Sequence, residues 1–314
     1  ITIVLIVIIV VTAAVLRPGR TRCISSAAAV TLRRGRAAFE GERRLAYEIS
    51  ESQAAAASGW GLLWCHGLSS SMRSESEGGW PFAGIPGLAG LLPVARFDAR
   101  GHGTSDDAPS VDCTWNAMGR DMLALRRRWG RRNLVLGGTS MGAAASLFAA
   151  TMVKPGDGED LAGLILATPP TCYEDRKRFV PMYKENLELA RSRGLLEARL
   201  ASSRKARPPI FAESEEGLAL FELGWKEKMR MGVDRYCAAL EGAIVSDLPP
   251  LERIAEIRAP ALVLAWQSDV QHPVRSAELI AATLPNAQLH VATSWSDIER
   301  FPTLIHGFLS HLMG

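Results

Sequence analysis

The chain has 314 residues, of which 47% are apolar and 22% charged, a composition typical of a globular protein with an ordinary core. This length suits one large domain with an insertion. Residues 17–44 hold eight arginines and two glutamates, so the net charge of +3 leaves −3 on the remainder. A mildly acidic body argues against nucleic acid as a partner.

The five cysteines are odd in number, scattered and without paired spacing: Cys23, Cys65, Cys113, Cys172 and Cys237. This pattern is neither a disulfide framework nor a zinc signature, and it fits a reducing compartment. The sequence implies no metal and no organic cofactor.

Residues 1–16 are apolar apart from two threonines, and arginines follow at positions 17, 20 and 22. Sixteen residues are marginal for a bilayer span and sufficient for a signal-peptide core. As an anchor, the segment would keep the body cytoplasmic by the positive-inside rule, and it would be the protein's only membrane contact. The alternative is a misassigned translation start that appends a non-native tail. We therefore set residues 1–35 apart from the fold and expect a cytoplasmic protein.

From about Arg36 onward, strand-like and helix-like segments alternate, which predicts an α/β fold with a mostly parallel sheet flanked by helices. An opening hairpin is predicted over Ala37–Glu40 and Arg43–Ile49. Apolar runs then predict six further strands: Gly61–Cys65, Val94–Asp98, Leu134–Gly137, Gly163–Ala167, Ala261–Trp266 and Gln288–Ala292. Helical apolar spacing marks Val274–Leu284 and Thr303–Leu312.

Residues 171–250 interrupt this alternation with helix-like patterns that carry fourteen basic and thirteen acidic residues. We interpret them as a helical cap inserted between two parts of the core, residues 36–170 and 251–314. A tethered second domain is the alternative. The position of the segment between core strands favours a lid over a site at the strand ends.

The segment Gly138-Thr139-Ser140-Met141-Gly142 lies between a buried-strand pattern and an alanine-rich helix start. A serine on such a sharp strand-to-helix turn is lifted out of the backbone, and the flanking glycines let strand and helix pass closely. The helix N-terminus adds a positive dipole end where an oxyanion would form. The pattern predicts that Ser140 is a nucleophile.

Four motifs in this order resemble those of the α/β-hydrolase superfamily, over about residues 36–314. They are His66-Gly67-Leu68, the run from Asp98 to Asp106, the turn at Ser140, and Pro260–Leu264 followed by Asp269 and Pro273. Within the superfamily, the chain resembles 3-oxoadipate enol-lactonase-like and esterase-like hydrolases. The resemblance implies the α/β-hydrolase fold and an oxyanion hole formed by the main-chain amides of Leu68 and Met141.

The resemblance also implies a catalytic acid after the seventh strand, which is Asp269, and a histidine base just after the eighth. That second position falls at about Asp297, and no histidine occurs between His290 and His306. Three hypotheses stay open for the base: His272, three residues after Asp269; His306, in the last helix; or no histidine at all. A serine without a base is a weak nucleophile.

Other polar and aromatic residues are weaker candidates for a role in the site. Asp175, after the sixth strand, is an alternative acid. Trp80 could wall an apolar pocket, and Arg176 opens a basic cluster that could bind a substrate carboxylate, although a solvated helix face explains the cluster more simply. His66 is expected to brace a loop, and His102 is not expected to be the base.

The sequence thus predicts a serine hydrolase that cleaves a small carboxylic ester or lactone through an acyl-enzyme on Ser140. Serine rather than aspartate at the turn argues against haloalkane dehalogenase or epoxide hydrolase chemistry. One alternative is carbon–carbon bond hydrolysis or acyl transfer on the same scaffold. Another is a degenerate hydrolase that binds a small ligand without turnover.

Overall fold

The computed structural model describes residues 30–38, 43–77, 81–82, 84–153, 161–205 and 207–314. In these ranges eight strands form one sheet: β1 Val30–Ala38, β2 Arg44–Ser52, β3 Trp60–Cys65, β4 Val94–Phe97, β5 Asn133–Thr139, β6 Leu161–Ala167, β7 Ala261–Trp266 and β8 Ala287–Ala292. The strand order is β1-β2-β4-β3-β5-β6-β7-β8. Strand β2 is antiparallel to β1 and β4, and all other neighbours are parallel.

Helices cover both faces of this sheet. Their bounds are α1 Gln53–Ala56, α2 Met72–Ser76, α3 Trp115–Trp129, α4 Met141–Met152, α5 Tyr173–Ser203, α6 Pro209–Ala212, α7 Glu215–Met231, α8 Val233–Ile244, α9 Leu251–Ala255, α10 Val274–Thr283, α11 Trp295–Ile298 and α12 Phe301–Met313. Short 3₁₀ turns occupy Ile85–Gly90 and Ser110–Asp112. The predicted α/β fold is confirmed.

The central strands are apolar on both faces because a layer of helices lies on each side. In β3, Leu63 and Cys65 join the core cluster that contains α3 and α4, whereas Leu62 and Trp64 join the cluster that contains α12. Successive side chains of a strand point to opposite faces, so one strand supplies both cores. The continuous apolar runs that predicted these strands reflect this double burial.

The first strand begins earlier than the sequence predicted. Strand β1 starts at Val30, so the boundary at residue 35, and the start of the core at Arg36, were wrong. On this edge strand, Arg33 and Arg34 form ion pairs with acidic residues of β2 instead of packing into the core. An edge strand of this kind shows little apolar alternation.

Residues 1–29, which include the apolar segment 1–16 and Cys23, lie outside the described residues. In the part of the chain that the structure describes, no helix is both long and apolar enough to cross a bilayer.

Helices α5–α8 follow one another between β6 and β7, and we call them the helical insertion. The described residues of 171–250 contain no strand, as the sequence predicted. The helix α5 is interrupted at Gly194, whose φ is 79°. The guanidinium of Arg235, on α8, donates to the carbonyl oxygens of Gly103 and Ser105 at 2.9 and 3.0 Å, which ties the insertion to the core.

Candidate active site

Ser140 occupies a strained turn between β5 and α4. Its φ of 52° and ψ of −109° lie outside the regions that ordinary residues prefer, and its N–H donates to the carbonyl of Ala167 at 2.9 Å. Backbone strain of this kind persists where the surrounding structure holds it, and it clusters at functional sites. The turn places the half-buried serine side chain at the carboxyl edge of the sheet.

The glycines around Ser140 are required by a close approach of β3. A Cβ atom on Gly138 would lie 2.5 Å from the carbonyl oxygen of Cys65, and one on Gly142 would lie 2.0 Å from the same atom. Both distances are far below van der Waals contact with backbone that cannot move aside. The motif G-T-S-M-G is therefore explained by packing at both of its ends.

Substituting Gly142→Ala is expected to destabilise the fold by about 3 kcal/mol, because the new methyl group overlaps the backbone of β3. Urea unfolding would measure this loss. The matched control is Gly307→Ala, in the exposed part of α12, where an added Cβ meets nothing within 4 Å. That change should be neutral or stabilising by up to about 1 kcal/mol, since alanine favours helix. Equal effects of the two substitutions would contradict the packing explanation.

His272 lies between Ser140 and Asp269. Its Nε2 atom is 2.8 Å from Oγ of Ser140, and its Nδ1 atom is 2.8 Å from Oδ2 of Asp269. A carboxylate can only accept a hydrogen bond, so Nδ1–H donates to Asp269 and Nε2 accepts from the serine hydroxyl. This tautomer is the one that a general base next to a serine needs.

The Asp269 carboxylate is buried and fully hydrogen-bonded. Besides the imidazole, Oδ2 accepts from Nε1 of Trp266 at 2.9 Å, and Oδ1 accepts from the N–H of Gln271 at 2.8 Å. Burial alone would raise the pKa of this carboxyl, but the charge of His272 and these hydrogen bonds outweigh burial and lower the pKa to about 2. Asp269 therefore remains ionised throughout the neutral range.

The loop after β7 turns the imidazole inward within three residues of the carboxylate. Ser268 has a left-handed φ of 64°, and Pro273 precedes the first residue of α10. The indole of Trp266 lies edge-on to the His272 ring, with 6.3 Å between the ring centroids. These constraints hold Asp269 and His272 on one short turn.

The loop after β3 lies against Ser140. A Cβ atom on Gly67 would be 3.7 Å from Cβ of Ser140, so the backbone of Gly67 runs beside the serine. Leu68 follows on this loop, and Met141 is the first residue of α4. The chain thus brings both predicted oxyanion-hole residues to the segments that adjoin Ser140.

Two buried histidines hold this loop in place. Nδ1 of His66 lies 2.8 Å from the carbonyl of Gly67, and Nε2 accepts from the N–H of Ala99 at 3.0 Å. Nε2 of His102 accepts from the N–H of Ser69 at 3.2 Å. Burial lowers the pKa of His66 to about 4 and that of His102 to about 3, so both rings are neutral at pH 7. Each ring braces a loop, as expected for His66, and neither contacts Ser140.

Glu75, on α2, links the segment that follows the loop after β3 to the strands beneath it. Its two carboxyl oxygens accept from Nε1 of Trp64 at 3.0 Å and from the hydroxyl of Thr139 at 3.3 Å. Burial raises the pKa of this carboxyl to about 7, although nearby Arg96 and the two hydrogen bonds lower it. No sequence motif marked Glu75.

The protonation of Glu75 should make stability depend on pH. Because its pKa is higher in the folded state than the ordinary value of 4.5, the folded state binds the proton more tightly. This contribution to stability is complete below the unfolded pKa and is lost as pH rises to about 7. The variant Glu75→Gln carries no such titration. From pH 4.5 to 8, its free energy of unfolding should rise relative to that of the parent by up to about 3 kcal/mol.

The measurement is urea unfolding of both proteins across that pH range. Glu77→Gln is the control, because ion pairs with Lys226 and Arg230 accompany a lowered pKa of Glu77. Its contribution has the opposite sign, since it is present above the unfolded pKa and is lost at acid pH. A constant difference between Glu75→Gln and the parent would show that Glu75 does not titrate in this window.

The other histidine proposed for the base lies apart from Ser140. His306 is exposed on α12, where Nδ1 contacts the hydroxyl of Ser310 at 3.4 Å. At the position where the family resemblance places a histidine, Asp297 instead forms a capping box with Ser294 at the start of α11. The geometry therefore favours His272 over His306.

Asp175, the alternative to Asp269 as the catalytic acid, has other partners than His272. Asp175 forms ion pairs with Arg178 and Arg275, and His272 contacts Asp269 instead. Trp80 lies outside the described residues, so its predicted place beside an apolar pocket stays a prediction.

Arg176 has a different environment from the one the sequence suggested. It is only 3% exposed, and its guanidinium donates to the carbonyl oxygens of Ser246 and Ala243 while lying over the ring of Trp115 at 4.2 Å. These contacts join the two ends of the helical insertion to α3. The expectation that Arg176 binds a substrate carboxylate is not supported, because burial and main-chain acceptors already satisfy the charge.

Sequence reasoning did not identify Trp266 and Gln271 as parts of the site. Trp266 ends β7, and its indole N–H reaches the carboxylate three residues later. A tryptophan at the end of a buried strand, followed closely by an aspartate, was the available signal. Because Trp266 belongs to the apolar run that predicted β7, it was interpreted as a core residue.

Comparisons with known proteins agree with the observed fold. Residues 62–298 match the model of the alpha/beta hydrolase family. A hydrolase from Pseudomonas aeruginosa PA01 superposes with a TM-score of 0.68 at 21% identity, over 90% of this chain and 98% of that one. A thermophilic esterase from Thermogutta terrifontis superposes with a TM-score of 0.68 at 22% identity, over 90% of this chain and 99% of the esterase. The enol-lactonase from Burkholderia xenovorans LB400 superposes with a TM-score of 0.70 at 21% identity, over 88% of this chain and 100% of the lactonase.

No curated protein sequence matches the chain. The family match covers most of the chain and includes the strands that carry the serine turn and the Asp269 loop. The chain therefore belongs to the alpha/beta hydrolase family.

Proposed function

We propose that the protein is a serine hydrolase that cleaves a carboxylic ester or lactone through an acyl-enzyme on Ser140. The observation that carries the proposal is the continuous hydrogen-bonded chain from Ser140 through His272 to Asp269. A serine hydroxyl becomes a useful nucleophile when an adjacent base accepts its proton and a third group orients that base. All three elements are present here within hydrogen-bond reach.

In the proposed mechanism, Oγ of Ser140 attacks the substrate carbonyl while Nε2 of His272 accepts the serine proton. The ionised Asp269 stabilises the imidazolium and keeps its orientation. The main-chain amides of Leu68 and Met141 donate to the oxyanion of the tetrahedral intermediate. The imidazolium then protonates the leaving alkoxide. A water molecule, deprotonated by the same imidazole, hydrolyses the acyl-enzyme and returns the serine.

The choice of an ester or lactone rests on the kinds of protein that share this fold. Two structural neighbours are named an esterase and an enol-lactonase. We further propose that the helical insertion is a cap over the site, since it follows β6 and precedes the strand that carries Asp269. A cap there would exclude water from the acylation step and shape the acyl pocket.

The test is labelling with a fluorophosphonate probe at neutral pH, with Ser140→Ala as control. We expect the probe to label the parent and not the variant. We also expect the parent, but not the variant, to hydrolyse a p-nitrophenyl ester. Absence of labelling in both proteins would overturn the acyl-enzyme mechanism. It would instead favour a degenerate hydrolase that binds a small ligand.

A further inference from the structure

Glu75 carries a buried carboxyl group that the proposed mechanism does not use. The residue is only 1% exposed. Its Oε2 atom accepts from Nε1 of Trp64, on β3, at 3.0 Å, and its Oε1 atom accepts from the hydroxyl of Thr139, at the end of β5, at 3.3 Å. A buried carboxyl group is costly without such hydrogen bonds. The two bonds tie α2 to two different strands.

The bond to Thr139 holds the segment that carries the nucleophile. Thr139 is the last residue of β5 and directly precedes Ser140, and Met141 then begins α4. A Cβ atom on Gly67 would lie 3.5 Å from the carbonyl oxygen of Thr139 and 3.7 Å from Cβ of Ser140. The loop after β3 therefore runs beside the same segment that Glu75 holds.

The helix α2 directly follows the loop after β3, because Ser71 is its N-cap residue. Leu68 lies in a tight turn of this loop, which is closed by a hydrogen bond from the N–H of Ser70 to the carbonyl of Gly67 at 3.1 Å. Glu75 lies one turn into the helix. A displacement of α2 would therefore also displace the main-chain amide of Leu68.

Two other hydrogen bonds anchor α2, and both lead to β4 or the loop after it. The N–H of Met72 donates to Oδ1 of Asp98 at 2.8 Å, and Nη2 of Arg96 donates to Oγ of Ser76 at 2.7 Å. Among the hydrogen bonds that join α2 to other described elements, the bond from Glu75 to the end of β5 is the one that reaches the serine turn.

We propose that Glu75 is a positioning residue that sets the distance between the two oxyanion donors, the main-chain amides of Leu68 and Met141. This inference rests on the proposed function. The two amides belong to separate segments of the chain, and Glu75 joins those segments. Donors stabilise an oxyanion only when both stand about 3 Å from the developing charge, so a small displacement of one of them slows the reaction. Glu75 thus acts on kcat rather than on substrate binding.

Three substitutions separate the hydrogen bonds from the bulk of the side chains. In Glu75→Gln, the amide oxygen can accept from Trp64 and the amide nitrogen can donate to Thr139, so both bonds are kept. In Glu75→Met, a side chain of similar length makes neither bond. Thr139→Val keeps the shape of the threonine and removes only its hydroxyl, which leaves the bond between Trp64 and Glu75 in place.

The test measures kcat and KM for p-nitrophenyl butyrate and the Ki of a trifluoromethyl ketone with the same acyl chain. Oγ of Ser140 adds to the ketone carbonyl, the serine proton passes to His272, and the carbonyl oxygen becomes an oxyanion. The Ki therefore reports on the oxyanion hole, whereas KM reports mainly on binding of the ester.

Glu75→Met and Thr139→Val should each lower kcat by about 10- to 100-fold and raise Ki by a similar factor, with KM within about twofold of the parent. Glu75→Gln should keep kcat within about threefold, since its hydrogen bonds are retained. The matched control is Thr151→Val, whose hydroxyl bonds to the carbonyl of Phe148 at 2.9 Å, near the far end of α4. It lies about 15 Å along the helix from Met141 and should behave as the parent.

The double variant Glu75→Met/Thr139→Val should lose no more kcat than either single variant, because both changes break the same bond. Multiplicative losses, or a fall in kcat without a matching rise in Ki, would show a structural role only and overturn the inference. Unchanged kcat in Thr139→Val would also overturn it, and this variant decides the question if Glu75→Met does not fold. Absence of labelling and hydrolysis in the parent overturns the proposed function, and this inference with it.

Discussion

His272→Ala is expected to lower kcat/KM for ester hydrolysis by about 10³-fold or more, because the serine loses the base that accepts its proton. Labelling of Ser140 by a fluorophosphonate should slow in parallel. The fold should survive, since the imidazole is half-buried at the edge of the sheet and fills no core position. Steady-state kinetics and far-UV circular dichroism of the variant would measure the two effects separately.

The matched control is His306→Ala. His306 is exposed, and its ring is hydrogen-bonded to the hydroxyl of Ser310, so its loss should leave kcat/KM within about twofold of the parent, as for most exposed positions. Loss of labelling in His306→Ala, with retention in His272→Ala, would reverse the assignment. Full activity in both variants would show that neither His272 nor His306 acts as the base.

Asp269→Asn is expected to reduce kcat by about 10⁴-fold while leaving KM nearly unchanged, because the imidazole loses its orienting anion and the required tautomer. The amide also offers a donor where His272 and Trp266 both need an acceptor. Since Asp269 has a pKa of about 2, it stays ionised across the working range. Its protonation will therefore not produce the acid limb of a pH–rate profile.

Asp297→Asn is the control for this second substitution. The carboxylate of Asp297 completes the capping box of α11, so its loss should lower stability slightly with little change in kcat. A large fall in kcat for this variant, with a small one for Asp269→Asn, would place the acid after β8 and contradict the arrangement described above.

The sheet was predictable because strands such as β3, β5 and β7 bury both faces and are apolar without interruption. The serine turn was predictable because a short local pattern carries its geometry. The start of strand β1 was missed because its arginines are satisfied by ion pairs and its backbone by pairing with β2, neither of which leaves an apolar signature. Local patterns thus predicted local structure.

The identity of the base was not decided by the sequence. The contact between His272 and Ser140 joins residues 132 positions apart, and it depends on the left-handed conformation of Ser268. Neither a contact across this separation in sequence nor the conformation of the turn can be deduced from composition or periodicity. Arg176 shows the same difficulty, because a charged residue in a polar helix does not reveal that Trp115 and main-chain carbonyls enclose it.

The placement of Asp269 and His272 on one turn has a consequence for how this site changes over time. Their mutual geometry is set by the short stretch from Trp266 to Pro273, so substitutions in β8 or α11 need not separate the two groups. Conversely, one inserted or deleted residue between positions 269 and 272 would remove acid and base together. Both side chains could therefore be grafted into another hydrolase by replacing one loop.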